Sequence, residues 1–383
     1  MREAVTVLSE EEELFREILR DFADQEVAPA AIERDQKGRI EPELVSKLFE
    51  LGAMSVEVPE RFGGAGGSFF LTCLAIEEIS RADASVGAMV DVQNTIVAGA
   101  ILGWGTEAQQ EEFLTKLASG SIGSYALSES ASGSDAFALE TRAVADGDGY
   151  RLTGRKLWIT NAAESEIFVV FATVDPSAGH RGISCFLVER GFEGFEVGKK
   201  EDKLGQRASS TCELILDGVP VPRKNVLGEV GQGYKVAIET LNEGRIGIGA
   251  QMLGLARGSF DAALAYTGER EQFGQKIGSF QSVQFELARM ATDLEIARLL
   301  VYNSARLRDA KRPFLKEAAM AKLVVCDMAE RVSSMAIELF GGVGITTEYP
   351  VEKRYRDAKP ARVYEGTAHM QLMTIARQIQ RGT

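Results

Sequence analysis

The side chains that most often announce chemistry are scarce in this 383-residue chain. His180 and His369 are its only histidines, so a multi-histidine metal centre is out of reach. Cys73, Cys185, Cys212 and Cys326 lie far apart without a CxxC spacing, which points to neither a disulfide framework nor a structural zinc site. No GxSxG elbow accompanies either histidine, and no GxGxxG or Walker A motif occurs. The glycine run at 63–67 lacks the lysine and hydroxyl of a phosphate loop and reads as a turn. Redox chemistry carried by a bound cofactor then becomes attractive, because the cofactor supplies reactivity that the side chains lack.

Four segments stand out along the sequence. Residues 125–135 (YALSESASGSD) combine small residues with serine, glycine and aspartate, although such a stretch taken alone is an ordinary loop. Lys156 is followed by Leu157, Trp158, Ile159, Thr160 and Asn161, an aromatic plane beside a hydroxyl, and Trp158 alone could equally be a β-core residue. Arg270, Phe273 and Gly274 lead into Phe280-Gln281, where a solvated helix face is the plainer reading of an isolated arginine. The fourth segment runs from Glu338-Leu339-Phe340-Gly341-Gly342 to Tyr364-Glu365-Gly366-Thr367. A glutamate beside a glycine is, by itself, more often a solvated or capping carboxylate.

The elements that must position these residues fall into three textures. Residues 1–120 read as helical: Ser9 with Glu12 makes a capping-box pattern, and Pro42 to Gly52 brackets a second helix. The apolar stretch 84–105 is interrupted by Asp91, Gln93 and Asn94 and reads as a buried helix rather than a membrane span. Residues 121–228 carry short β-prone runs at 150–152, 157–160, 167–173, 184–188 and 213–216, the last entering a turn at Asp217-Gly218. A compact antiparallel barrel or sandwich is expected there. Residues 229–383 return to long helical patterns at about 232–268, 279–309, 313–340 and 366–380, expected to form an antiparallel four-helix bundle with short connections. The whole is an α+β chain: N-terminal α-helical domain, central antiparallel β-domain, C-terminal bundle. Several glycines in the first bundle helix, Gly244 and Gly247 among them, suggest close approach by a neighbouring helix or a ligand.

Charge narrows the partners. The formal charge is −13, which disfavours nucleic acid and anionic membranes. All of it resides in residues 1–120, with 23 acidic and 10 basic side chains; the remainder is balanced and can accept a phosphate-rich ligand. The run MREAVTVLSEEEE lacks the basic and apolar regions of a secretory signal, so a cytoplasmic location, or the mitochondrial matrix for a processed eukaryotic chain, is expected.

Taken together and in this order, the four segments resemble the acyl-CoA dehydrogenase family over essentially the whole chain, and the run 241–248 (LNEGRIGI) is most similar to its short/branched-chain members. The resemblance implies that family's fold, an FAD cofactor between the β-domain and the bundle, an acyl-CoA substrate, reoxidation by electron-transferring flavoprotein, and a homotetramer. It places the work in fatty acid β-oxidation or branched-chain amino acid catabolism. It implies flavin contacts from Tyr125, Leu127, Ser128, Gly133, Ser134, Trp158, Ile159 and Thr160. Arg270, Phe273 and Gln281 would meet the diphosphate and adenosine portions, and Glu338, Leu339, Phe340, Gly341 and Gly342 the dinucleotide of a partner subunit. Thr367, Ala368 and His369 would lie near the dinucleotide, His369 by its backbone. Ser134, Tyr234, Asn242, Glu243, Gly244, Arg245 and Gly366 would line the acyl-CoA site, with Arg245 meeting either the CoA or another helix.

The resemblance makes Glu365 the catalytic base. It would remove the α-proton while a hydride leaves the β-carbon for flavin N5, giving a trans-2-enoyl-CoA. Burial would raise its pKa, and hydrogen bonds to the thioester oxygen would stabilise enolate-like charge. Some members place the base just before an arginine on the first bundle helix; here that position is Gly244. Glu243 is one residue away, which on a helix turns a side chain by about 100°. Two other readings of the same scaffold are a flavin monooxygenase or nitroalkane-type oxidase, and a non-catalytic flavin-binding relative.

Overall fold

A computed structural model describes residues 4–382; Thr383 and the first three residues of the N-terminal run read above lie outside it. Helix α1 (Glu10–Phe22) begins where the Ser9 side chain accepts the Glu12 N–H and Glu12 returns the bond to the Ser9 N–H, the expected capping box. Helices α2 (Ala31–Lys37) and α3 (Pro42–Glu50) follow, α3 with proline in its first turn. Helix α4 (Phe69–Ala82) is buried along most of its length. The apolar stretch forms helix α5 (Ala84–Trp104), most of it inside the protein as a core helix. Its middle, Val92–Ala98, is π-helical, an insertion that shifts the side chains beyond it around the axis. Helix α6 runs from Glu107–Gln109 through a second π-helical turn to Thr115–Ala118.

The middle of the chain is one eight-stranded sheet of β1 (Gly123–Ala126), β2 (Arg142–Asp146), β3 (Gly149–Thr160), β4 (Ile167–Thr173), β5 (Ile183–Glu189), β6 (Phe195–Lys200), β7 (Thr211–Pro222) and β8 (Val226–Leu227). Two details depart from the sequence reading. The sheet is antiparallel except at β4, which pairs in parallel with β1 and, at Arg142–Thr173, with β2. No hairpin joins β1 to β4, so no tight turn forces them to run in opposite senses. Asp217-Gly218 also fails to end a strand: β7 continues to Pro222, and Gly218, at φ 64°, belongs to an irregularity opposite Leu152 and Gly154.

The last third contains α7 (Gly233–Glu269), a small hairpin of β9 (Glu271–Gln272) and β10 (Gln275–Lys276), then α8 (Gln281–Asp309) and α9 (Leu315–Phe340). The connection after α9 is not short, because it carries a further helix, α10 (Pro350–Ala358), before α11 (Ala368–Arg381). Proline starts α10 and the Thr367 side chain caps α11 by accepting the Met370 N–H. One apolar core joins α4 and α5 to α7, α8 and α9; a second lies between α5, α6 and one face of the sheet; a third fills the other face.

A buried polar chain ties the three regions together. Arg34 and Lys353 both donate to Asp83, at 2.7 and 2.8 Å, and Lys353 also reaches Asp357 at 2.6 Å. Gln206, from the β-region, donates its side-chain amide to the Asp357 carbonyl at 2.9 Å and to the Tyr364 hydroxyl at 3.0 Å. Tyr364 in turn donates to Gln251 of α7 at 2.8 Å. Each charge in the chain has a partner, which is the condition for burying it without a large penalty.

Candidate active site

Tyr364 is the near end of that chain, and the next residue is Glu365. Glu365 has a φ of 48° and Gly366 a φ of 89°, a left-handed pair that turns the backbone sharply before α11. For glutamate this conformation is costly and persists only where its surroundings hold it. The holders are visible. Lys322 of α9 donates its ammonium to the carbonyls of both Tyr364 and Gly366, the latter at 2.6 Å. Gln371 donates to the same Gly366 carbonyl at 2.9 Å.

The bend drives the Glu365 side chain against α7. A Cβ on Gly244 would stand 2.6 Å from Glu365 Oε2 and 2.9 Å from Ile96 Cγ2, so only glycine leaves room for the carboxylate. Glu365 Oε2 is buried and accepts no hydrogen bond among the described residues, and the Glu365 N–H donates to no backbone carbonyl there. A buried carboxylate oxygen without a donor is a base with nothing yet to accept. Burial pushes the Glu365 carboxyl up, against the nearby charges of Lys322 and Arg245, which draw it down.

One turn farther along the same face of α7, Gly247 makes room for Asp91 of α5, whose Oδ1 lies 2.0 Å from where a Cβ would be. Asp91 accepts the Thr95 hydroxyl at 2.8 Å through Oδ1, while Oδ2 has no partner among the described residues. Burial, and then the charge of Glu365, push Asp91 well above the usual aspartate range. The sequence reading missed Asp91 as part of this site. The available signal was the polar interruption of an apolar helix, which had served there only to argue against a membrane span.

Tyr125 lies on β1, close enough to feel the Glu365 charge, and burial raises its phenol. Beyond it, Leu127 is buried, Ser128 half-buried, and Gly133 and Ser134 exposed. Hydrogen bonds join β1 and this segment to β3: the Leu157 N–H donates to the Ser128 carbonyl at 2.9 Å, and the Ser124 hydroxyl to the Thr160 carbonyl at 2.7 Å. Beneath it Lys156 is fully buried, donating to the Leu127 carbonyl at 3.2 Å and to Glu129 at 2.6 Å. Ile159 is buried and Thr160 half-buried, yet Trp158 between them is 60% exposed and held at a φ of 63°. A large aromatic plane held outward in a costly conformation, on a strand bonded to a segment of small residues, fits a flat polar ring system. The Trp158 region and the unpaired Glu365 oxygen therefore suit a flavin.

Not every expected residue joins this cluster. Asn242 accepts the Arg245 guanidinium at 2.6 Å, and burial draws the Arg245 pKa down. Glu243 is committed to Arg308, at 3.0 and 3.2 Å, and Arg308 also pairs with Glu57. Tyr234 packs against His180 and Phe137. Thr367 and Ala368 are half-buried at the start of α11, and His369 is exposed.

Arg270, Phe273 and Gln281 lie elsewhere. About 39 Å of helix axis separates Gly244 from Arg270. Phe273, on the turn of the β9–β10 hairpin, is 94% exposed. Glu338, Leu339, Phe340, Gly341 and Gly342 lie at that same end of the bundle, where Phe340 stacks on Tyr266 at 4.1 Å. The expected cofactor residues thus form two groups within one chain.

Comparison with known proteins shows what the chain as a whole is similar to. The N-terminal, middle and C-terminal domain models of acyl-CoA dehydrogenase match residues 9–121, 124–219 and 231–380. A probable short/branched chain specific acyl-CoA dehydrogenase of Dictyostelium discoideum is 50% identical, covering 98% of this chain and 91% of its own length. Butyryl-CoA dehydrogenase from Megasphaera elsdenii superposes with a TM-score of 0.96 at 41% identity, covering 98% of this chain and 99% of that one. A chain solved in work on the electron transferring flavoprotein of Acidaminococcus fermentans superposes at 0.97, also at 41% identity, over 98% and 99%. The chain belongs to the acyl-CoA dehydrogenase family, FAD-dependent oxidoreductases that act on CH–CH bonds.

Proposed function

We propose that the protein oxidises a short or short/branched-chain acyl-CoA to the trans-2-enoyl-CoA, with Glu365 removing the α-proton. The observation that carries this reading is Glu365 Oε2: buried, without a donor, and pressed against a glycine that leaves it room. A carboxylate is a weak base toward an α-proton, and burial strengthens it by raising its pKa. The unpaired Glu365 N–H is free to donate to a thioester oxygen, which would acidify the α-carbon. Gly244 and the Arg308-bound Glu243 leave Glu365 as the base, since neither offers a free carboxylate from α7.

Trp158, Ile159, Thr160 and the segment Tyr125 to Ser134 hold the flavin ring in this reading, and Gly366 and Arg245 border the acyl-CoA. Bound FAD supplies the acceptor for the β-hydride. Arg270, Phe273, Gln281 and Glu338 to Gly342 serve the dinucleotide of a neighbouring copy, because they stand at the opposite end of the bundle from Glu365. That division of labour supports a homo-oligomer, and the family resemblance makes it a homotetramer. Electron-transferring flavoprotein is the proposed electron acceptor, as the name attached to the Acidaminococcus neighbour suggests, and the location is cytoplasmic in a bacterium or, as the mitochondrial relatives suggest, mitochondrial in a eukaryote.

Replacing Glu365 with glutamine keeps the shape and removes the base. The variant is expected to retain FAD and to show no bleaching of the flavin by acyl-CoA under anaerobic conditions. Bleaching at the wild-type rate would falsify the assignment.

A further inference from the structure

Lys322 is the one charged group that grips the Glu365 bend directly. It sits two turns into α9, is 2% exposed, and forms no ion pair within hydrogen-bond reach among the described residues. Its acceptors are two main-chain carbonyls, those of Tyr364 and Gly366, one on each side of Glu365. A lysine buried without a carboxylate partner is expensive, and burial does draw its pKa down. Carbonyl ligands alone are a modest return for that cost if the role is only to close a loop. An uncharged donor would close it as well.

The position of the ammonium suggests what the charge is for. Clamping both carbonyls fixes the left-handed pair at Glu365 and Gly366, and so aims the carboxylate at Gly244. Held there, the ammonium is a full positive charge beside a carboxylate in a dry site, where Coulomb interactions are strong. The other ionisable groups facing the carboxylate are Asp91 from α5, Tyr125 from β1, Arg245 from α7, Cys326 from α9 and its neighbour Tyr364. Of these only Arg245 is cationic, and its guanidinium is turned to Asn242.

We propose that Lys322 is a positioning residue for the reaction, clamping the carbonyls on either side of Glu365 so that the base is both aimed and kept ionised. The inference rests on Glu365 being the base, and its test separates the two. Three holoenzyme variants, Lys322→Met, Lys322→Gln and Lys322→Arg, are compared with wild type and with Glu365→Gln. Readouts are FAD content, thermal midpoint, and the pH dependence of kcat and KM.

Without the cation, Glu365 binds its proton more tightly. Lys322→Gln and Lys322→Met are therefore expected to move the acid limb of the kcat profile up by about one pH unit or more. Their kcat should fall by about 10- to 100-fold with little change in KM, because the carboxylate is no longer aimed. Lys322→Arg keeps the charge, so its acid limb stays at the wild-type position while its kcat falls. If Lys322→Met fails to fold or to hold FAD, the glutamine and arginine variants decide. A glutamine variant with the wild-type acid limb, or with the wild-type kcat, overturns the proposal. Wild-type turnover in Glu365→Gln would instead overturn the assignment of the base.

Discussion

Gly244→Ala adds one methyl group at the tightest point of the site. The new Cβ would stand 2.6 Å from Glu365 Oε2 and 2.9 Å from Ile96 Cγ2. To regain ordinary contact, near 3.4 Å, the carboxylate must withdraw by about 0.8 Å. It cannot do so by a backbone swing, since Lys322 pins the carbonyls on both sides. A displacement of about 1 Å in a reacting group costs on the order of 100-fold in rate, so a loss of about 10- to 100-fold is expected. Stability should change little: alanine gains about 1 kcal/mol of helix propensity over glycine, against about 1–3 kcal/mol for crowding. The assay is stopped-flow reduction of the enzyme-bound flavin by a saturating short acyl-CoA, with FAD content and thermal midpoint as controls. A folded, FAD-loaded Gly244→Ala protein that reduces its flavin at the wild-type rate would show that Glu365 does not act from this position.

Three further outcomes follow from the same geometry. Asp91, raised by burial and by Glu365, holds its proton in the folded protein at pH values where the unfolded chain has lost it. Its contribution is therefore complete below about pH 4 and declines as pH rises from there toward its raised folded value. Asp91→Asn should remove this slope, so that its thermal midpoint gains on wild type with rising pH; parallel curves would contradict the upward shift of Asp91. Lys353→Met leaves Asp83 and Asp357 buried without their shared cation, and a loss of about 3–5 kcal/mol is expected in chemical denaturation. Arg270→Ala removes an exposed cation at the far end of α7. It should lower FAD retention on gel filtration without moving the thermal midpoint of the apoprotein, and unchanged retention would remove Arg270 from the dinucleotide site.

Local signals carried much of the fold. The Ser9–Glu12 capping box, the proline at the start of α3 and the β-rich texture of residues 121–228 depend on neighbours in sequence, and each has its counterpart in the structure. Features set by distant packing were not legible. Gly218 looks like a turn because glycine after aspartate usually is one, whereas pairing with β3 carries the strand through it. The connection after α9 conceals a helix whose lysine and aspartate serve the buried chain to Asp83.

The site divides in the same way. Glu365 stood out through its local YEGT setting, yet what makes it unusual is nonlocal. Lys322 looks in sequence like any lysine on an amphipathic helix, and nothing nearby shows that its tip reaches two carbonyls more than forty residues away. Asp91 and Gly247 are separated by some 150 positions, so their fit is visible only when α5 crosses α7. The separation of Arg270 from Glu365 follows from the length of one unbroken helix, which its sequence pattern at about 232–268 already indicated despite its glycines.

The central claim is that Glu365 takes the α-proton of a short acyl-CoA at a flavin site. It is tested most directly by anaerobic titration of the FAD-loaded protein with butyryl-CoA and 2-methylbutyryl-CoA, in wild type and in Glu365→Gln. The account predicts stoichiometric bleaching of the visible flavin band in wild type and none in the variant, with FAD content equal in both. Bleaching in both, or in neither with any acyl-CoA from butyryl to palmitoyl, would contradict it.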